Sequence, residues 1–253
     1  MIQRKTPAVS IKEILLDPNG PELGDDFLAF CGERNRRFVE GLRVEEEVAR
    51  RAEAARVHRQ AHPRIGVLAI QGDYAAHAEA LAESGAEPVE VRKPGELVGL
   101  DGLILPGGES TTMLKFLDRH GLFEALGEYC AGHPVFGTCA GAILLAREVR
   151  NPAQRSLGVL DAVVERNAYG RQIDSTILTV ETRLPGGPLE MVFIRAPRIV
   201  ETGAGVEVLA LRDGSPVLVR QGPVMAATFH PELSADRRVH RLFVDTVLAM
   251  NPE

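Results

Sequence analysis

Between Arg64 and the C-terminus the sequence predicts an α/β domain, a mixed and mostly parallel sheet covered by helices. Three observations carry that expectation. Short apolar runs of strand length alternate with amphipathic segments, the pattern left by strands that crossover helices bury on both faces. Beyond Asn151 the balance moves to strands broken by Gly and Pro, which makes the sheet mixed rather than purely parallel. Hydrophobic residues make up 45% of the chain and charged residues 25%, so the length of 253 residues is enough to bury a full core.

The elements follow in order. Ile65 to Ile70 reads as a buried first strand, Tyr74 to Ser84 as a helix, Pro88 to Val91 as a second strand and Gly102 to Leu105 as a third. Amphipathic helices fit Thr111 to Arg119 and Leu122 to Ala131, before a short strand, Pro134 to Phe136, and a further helical stretch, Ala142 to Ala146. Strands are then expected at Ala162–Glu165, Thr176–Glu181, Met191–Ile194, Val206–Leu211, Val217–Val219 and Val224–Thr228, with a last helix from Asp236 to Met250. Residues 1–62 differ in character and are expected to form a helical appendage to a domain spanning 63–253. From Arg36 to Gln60, charges of both signs surround a thin apolar set (Phe38, Val39, Leu42, Val44, Val48), the pattern of a largely solvated helix. A turn signal at Asp17–Pro21 separates it from the apolar stretch Ile11 to Leu16. There is no internal repeat.

Composition excludes several classes. A formal net charge of −6 argues against the broad basic surface that non-specific nucleic-acid binding requires. Cys31, Cys130 and Cys139 are an odd number with no C-x-x-C pair, so neither a disulfide framework nor a cysteine-rich zinc site is suggested. The first residues lack the apolar core of a signal peptide, and no run is long and apolar enough to span a bilayer. A cytoplasmic, soluble protein is the expectation.

Three segments carry chemistry, each at the end of an expected strand. Phe136-Gly137-Thr138-Cys139-Ala140-Gly141 joins a strand to an apolar helical stretch, the setting of a nucleophile elbow, in which small neighbours let the chain lift its central residue into an exposed bend. The bland alternative is an inert core cysteine. Phe229-His230-Pro231-Glu232 sets an imidazole and a carboxylate two residues apart, so that His230 could take the thiol proton while Glu232 holds the ring in one tautomer. The other six histidines read as ordinary surface or core residues. Leu105-Pro106-Gly107-Gly108-Glu109-Ser110 offers paired glycines able to turn N–H groups toward an oxyanion. Strand C-terminal ends are where open α/β sheets bind ligands.

These residues resemble the class I (triad) glutamine amidotransferases. Ala69-Ile70-Gln71-Gly72-Asp73, LPGGESTT from Leu105, FGTCAG, the stretch Val164 to Gln172, Phe193-Ile194-Arg195-Ala196-Pro197 and FHPEL narrow the likeness to the glutaminase subunit of pyridoxal 5′-phosphate synthase, the PdxT family. The likeness runs from Arg64 almost to the end of the chain and leaves residues 1–62 outside it. It implies a single class I glutamine amidotransferase-like domain that hydrolyses L-glutamine to glutamate and ammonia. Cys139, His230 and Glu232 would be the triad, Gly108 and Ala140 the oxyanion hole, and Gly108, Glu109, Ser110, Arg166, Ile194 and Arg195 the glutamine site. The implied partner is the synthase subunit (PdxS family), with Gln71 and Gly72 as contacts to it. No metal and no cofactor are implied, pyridoxal phosphate being the pathway's product. Read without the likeness, Arg166 and Arg195 are surface arginines. The alternatives are a glutaminase serving purine or histidine synthesis, a different cysteine hydrolase, and a silent scaffold protein.

Overall fold

A computed structural model describes residues 40–41, 43–54, 62–166 and 175–250. The chain divides into two units, Met1–Arg56 and Val57–Glu253. In the first, the described residues 40–41 and 43–54 are helical. Glu47 pairs with Arg50 and, at 2.7 Å, with Arg51 one turn further on, while Val44 and Val48 are exposed. Cys31, Phe38, Val39, Leu42, the turn at Asp17–Pro21 and the stretch Ile11 to Leu16 lie outside the described residues.

The second unit opens with β1 (Arg64–Leu68), α1 (Tyr74–Glu83), β2 (Glu87–Val91) and β3 (Gly102–Leu105). It continues through α2 (Ser110–Arg119), α3 (Leu122–Cys130), β4 (Val135–Thr138) and α4 (Ala140–Leu145). Strands follow: β5 (Ala146–Arg150), β6 (Leu160–Glu165), β7 (Thr176–Val180), β8 (Leu189–Phe193), β9 (Arg198–Thr202), β10 (Glu207–Arg212), β11 (Ser215–Gln221) and β12 (Val224–Ala227), then α5 (Arg238–Met250). The main sheet has seven strands in the order β10-β11-β12-β4-β3-β1-β2. From β2 to β12 all neighbours are parallel, and β11 and β10 join antiparallel at one edge. Two smaller sheets, β5-β6-β9 and β7-β8, accompany it.

Alternation along the central strands splits the core in two. Leu103, Leu105, Val224 and Ala226 point to the face covered by Met113, Leu117, Leu126 and Leu144 of α2, α3 and α4. Ile65, Val67, Ile104, Met225 and Ala227 point to the opposite face, under Leu81 of α1 and Val239, Phe243 and Val247 of α5. Each such side chain stabilises the fold by about 1.5–3 kcal/mol on burial. This is why the apolar runs of β1, β3 and β4 are continuous: both faces are dry.

Two strands, β5 and β9, escape the sequence pattern. Both are edges of the small sheet around β6. Their sequences, Ala-Arg-Glu-Val-Arg and Arg-Ile-Val-Glu-Thr, bury only Ala146 and Val149 in one and Ile199 in the other. One-sided burial with charges between leaves too little hydrophobic signal to separate a strand from a loop. The helix expected over Ala142–Ala146 instead occupies Ala140–Leu145, and Ala146, with ψ of 147°, already turns into β5.

Candidate active site

In the sheet β12, β4, β3 and β1 are consecutive and parallel, so their C-terminal ends stand in a row. Four distant segments meet there: His230 beyond β12, Cys139 beyond β4, Gly107–Gly108 beyond β3 and Gln71–Gly72 beyond β1. Register fixes the alignment, with Leu105 beside Gly137 and Ala227 beside Thr138.

Cys139 has φ 47° and ψ −103°, outside the regions a side chain favours. Such a backbone costs about 1–3 kcal/mol and persists only where its surroundings enforce it. Here they do. The Cys139 N–H donates to the Ala227 carbonyl at 2.8 Å, and its own carbonyl accepts from Ile143 N–H at 3.2 Å to start α4. The bend brings α4 against β3 so closely that a Cβ at Gly141 would collide with the Leu105 carbonyl oxygen. The Cys139 side chain is buried but lines the cleft, and its Sγ lies 4.0 Å from the Ile194 carbonyl oxygen.

His230 is tied to β8 by its N–H, which donates to the Val192 carbonyl at 2.8 Å. A short 3-10 turn, Pro231–Leu233, then swings Glu232 back under the ring, and His230 Nδ1 donates to Glu232 Oε1 at 2.8 Å. A Cβ placed on Gly107 would fall 2.5 Å from His230 Cε1 and 3.4 Å from Cys139 Cβ, so imidazole and thiol stand together beneath that glycine. Burial lowers the His230 pKa, but hydrogen bonds and charge from Cys139 and Glu232 outweigh it and push the value up to about 10. The ring therefore holds its proton at neutral pH. Cys130, in contrast, is pushed up to about 12 by burial alone, the state of an inert thiol.

The cleft above these groups has a volume of about 270 Å³ and is lined by Gly72, Gly108, Glu109, Ser110, Cys139, Ile143, Arg166, Ile194, Arg195, Pro197 and His230. That is just below the range of about 300–1,000 Å³ usual for drug-sized ligands, room for a molecule the size of an amino acid. Glu109 caps α2, its two oxygens accepting from Thr111 N at 3.0 Å and Thr112 N at 2.6 Å. Burial opposes its ionisation, but the hydrogen bonds from Thr112 and Thr111 win and hold the carboxyl down at about 2. Arg166 reaches the same cap, with Nη2 at 2.7 Å from Thr111 Oγ1 and 3.4 Å from Glu109 Oε1. Ser110 is buried and donates to Gln154 Oε1 at 2.9 Å. Arg195, at φ 46°, lies in a second strained bend.

Most residues singled out from sequence thus gather at one cleft. Glu232 and Ala140 stand behind its wall, and Gln71 lies against Gly108: a Cβ there would sit 2.6 Å from Gln71 Nε2. Asn167 to Gln172, part of the narrower motif, lie outside the described residues. Sequence reasoning missed Ile143 and Pro197 in the lining, and Gln154 behind Ser110. It also read His77 as an ordinary histidine, although its Nε2 is 3.2 Å from Glu232 Oε2. No spacing rule joins residues on α1 and beyond β12, so nothing in the sequence marks that contact. Among the described residues, no group of three His, Cys, Asp or Glu could hold a metal ion.

An elbow cysteine beside a His–Glu pair, at the C-terminal edge of a parallel sheet covered on both faces, is the arrangement of a cysteine-dependent amide hydrolase. The chain belongs to the SNO glutamine amidotransferase family, whose profile matches residues 67–249. It is 62% identical over 184 residues to the pyridoxal 5′-phosphate synthase subunit PdxT of Koribacter versatilis, covering 73% of this chain and 95% of that one. It is 54% identical to the PdxT subunit of Thermotoga maritima over 186 residues, covering 73% and 99%. A crystal structure of a glutamine amidotransferase superposes with a TM-score of 0.67 at 50% identity, covering 72% of this chain and 98% of that one. PurLQS of Thermotoga maritima, at 17% identity and a TM-score of 0.57 over 73% of this chain and 98% of that one, shares the fold.

Proposed function

We propose that this chain, a glutaminase, hydrolyses L-glutamine through Cys139, His230 and Glu232 and hands the ammonia to the synthase subunit of pyridoxal 5′-phosphate synthase. The observation that carries this reading is the 2.8 Å bond between His230 and Glu232, set beside an elbow cysteine in a chain with close PdxT relatives. The Cys139 thiolate attacks the side-chain amide carbon. The oxyanion that forms takes hydrogen bonds from the Gly108 and Ala140 N–H groups. Collapse expels ammonia, to which His230 gives its proton, and leaves a thioester on Cys139. His230 then deprotonates a water molecule that attacks the thioester, releasing glutamate. Glu232 holds the Nδ1 proton throughout, so Nε2 is always the working nitrogen. Glu109 and Arg166 suit the α-ammonium and α-carboxylate of the free amino acid, and Ser110, Ile194 and Arg195 complete the pocket.

Two further parts of the proposal concern context. Gln71 and Gly72 meet the synthase, a position supported by their contact with the Gly107–Gly108 turn. The protein acts in the reducing cytoplasm, consistent with Cys130 and Cys139 being unpaired. Among the described residues no helix is long and apolar enough to cross a membrane. The test is ammonia release from glutamine by the wild-type chain and by Cys139→Ala, each with and without the synthase subunit. Loss of hydrolysis in a folded Cys139→Ala supports the reading. Undiminished hydrolysis in that variant, or complex formation only with a purine- or histidine-pathway synthase, overturns it.

A further inference from the structure

One residue of α2 that does not line the cleft holds two charged groups that do. The Thr111 N–H donates to Glu109 Oε1 at 3.0 Å, and the Thr111 hydroxyl oxygen accepts from Arg166 Nη2 at 2.7 Å. Glu109 and Arg166 are part of the cleft wall, and Thr111 stands behind them. The two charges also lie within reach of each other. Arg166 Nη2 is 3.4 Å from Glu109 Oε1, against about 2.7–2.9 Å for a well-formed bond between guanidinium and carboxylate. The shorter bond of that nitrogen runs to the neutral hydroxyl.

Opposite charges set this close would ordinarily close into a two-pronged pair, since the arginine fork matches a carboxylate. A closed pair would make a poor amino-acid site. Each group would satisfy the other, and glutamine would have to break the pair before its α-ammonium and α-carboxylate could be read. Three anchors oppose closure. The carboxylate is pinned by the N–H groups of Thr111 and Thr112 at the start of α2, at 3.0 and 2.6 Å. Arg166 follows directly on β6; its own N–H donates to the Arg150 carbonyl at 3.1 Å, and its side chain is largely buried. The Thr111 hydroxyl takes up the guanidinium nitrogen that lies beside the carboxylate.

We infer that Thr111 is a positioning residue for glutamine binding, its hydroxyl holding Arg166 off Glu109 so that cation and anion stay open to the two α-charges of the substrate. One side chain thereby keeps two others from satisfying each other. The inference rests on the glutamine-site reading above.

Steady-state ammonia release by the full chain, with the synthase added, tests it. Thr111→Val keeps the backbone N–H and the branched shape but removes the acceptor. Arg166 should then close on Glu109, and with about nine sites in ten closed the KM for glutamine rises about tenfold, while kcat changes by less than about twofold. Thr111→Ser, which restores the hydroxyl, should return KM to near the wild-type value. In an Arg166→Ala background Thr111→Val should change KM little further, because the residue acts through Arg166. A folded Thr111→Val with wild-type KM, or a rise equally large in the Arg166→Ala background, overturns the inference. So does a lowered thermal midpoint with no change in KM, the mark of a residue that only packs α2. Thr111→Ala takes its place in the same assays should Thr111→Val not fold. Crystals of the ligand-free variant give a reading that needs no activity: an Arg166–Glu109 pair closed to about 2.8 Å upholds the inference, and an unchanged 3.4 Å separation sinks it. Wild-type protein that releases no ammonia would instead refute the glutaminase reading, and the crystals would judge Thr111 regardless.

Discussion

At the scale of the residue, the site depends on a proton held in place. The His230 pKa is pushed up to about 10 against burial by Cys139 and Glu232, so the protonated ring is lost only as pH rises through that value. The alkaline limb of kcat/KM should accordingly fall near pH 10. Glu232→Gln removes one of the charges raising the pKa, so the limb should move down by about 1–3 units. His230→Asn should slow hydrolysis by roughly 10²–10⁴-fold, since one group both activates and protonates. A pH–rate series on the three proteins checks both statements, and an unmoved limb in Glu232→Gln would separate the carboxylate from the base. Cys139, His230 and Glu232 could be singled out in the sequence because each sits in a short local motif with its own chemistry. His77 could not be: it lies on α1, and only the packing of that helix against the 3-10 turn Pro231–Leu233 brings it within 3.2 Å of Glu232.

At the scale of the element, α2 illustrates how a cap and a pocket wall are one structure. Glu109 accepts two backbone N–H groups at the helix N-terminus, and its carboxyl is held at about 2 against an ordinary 4.5. A depressed pKa contributes stability above the unfolded value that disappears as pH falls toward the folded one. Glu109→Ala should therefore cost about 1 kcal/mol near neutrality, the usual worth of an N-terminal cap, and the gap from wild type should close between pH 4.5 and pH 2. Urea unfolding at several pH values measures it; a gap independent of pH would show that the carboxylate is not the cap. The helices and the central strands could be placed from sequence to within a residue or two because their burial is continuous or strongly periodic. β5 and β9 could not, since each turns only one or two side chains inward and intersperses charged residues among the rest.

At the scale of the whole molecule, the family profile begins at residue 67, and 73% of this chain is enough to cover 95% and 99% of two relatives. A chain starting at Arg64 should therefore fold and keep its thermal midpoint within a few degrees; a collapse on truncation would make the first segment part of the domain. Control by the partner belongs to this scale too. The Gln71 side chain lies against Gly108, so in the proposed complex docking at the β1–α1 turn would bias the peptide assigned to the oxyanion. Weak hydrolysis alone and a rise of roughly tenfold or more on adding the synthase are expected, a fraction of what one oxyanion donor is worth; equal rates would mean the turn is already set. The sheet order has one more consequence. The strand that leads into Cys139, β4, is flanked by β3, which precedes it in the chain, and by β12, which arrives only near the end. During synthesis on the ribosome Cys139 emerges long before His230, and the N–H of Cys139 must wait for the Ala227 carbonyl that steadies its bend. An unfinished polypeptide carries Cys139 without His230, so under the proposed mechanism the last strand to enter the sheet is the one that completes the glutaminase.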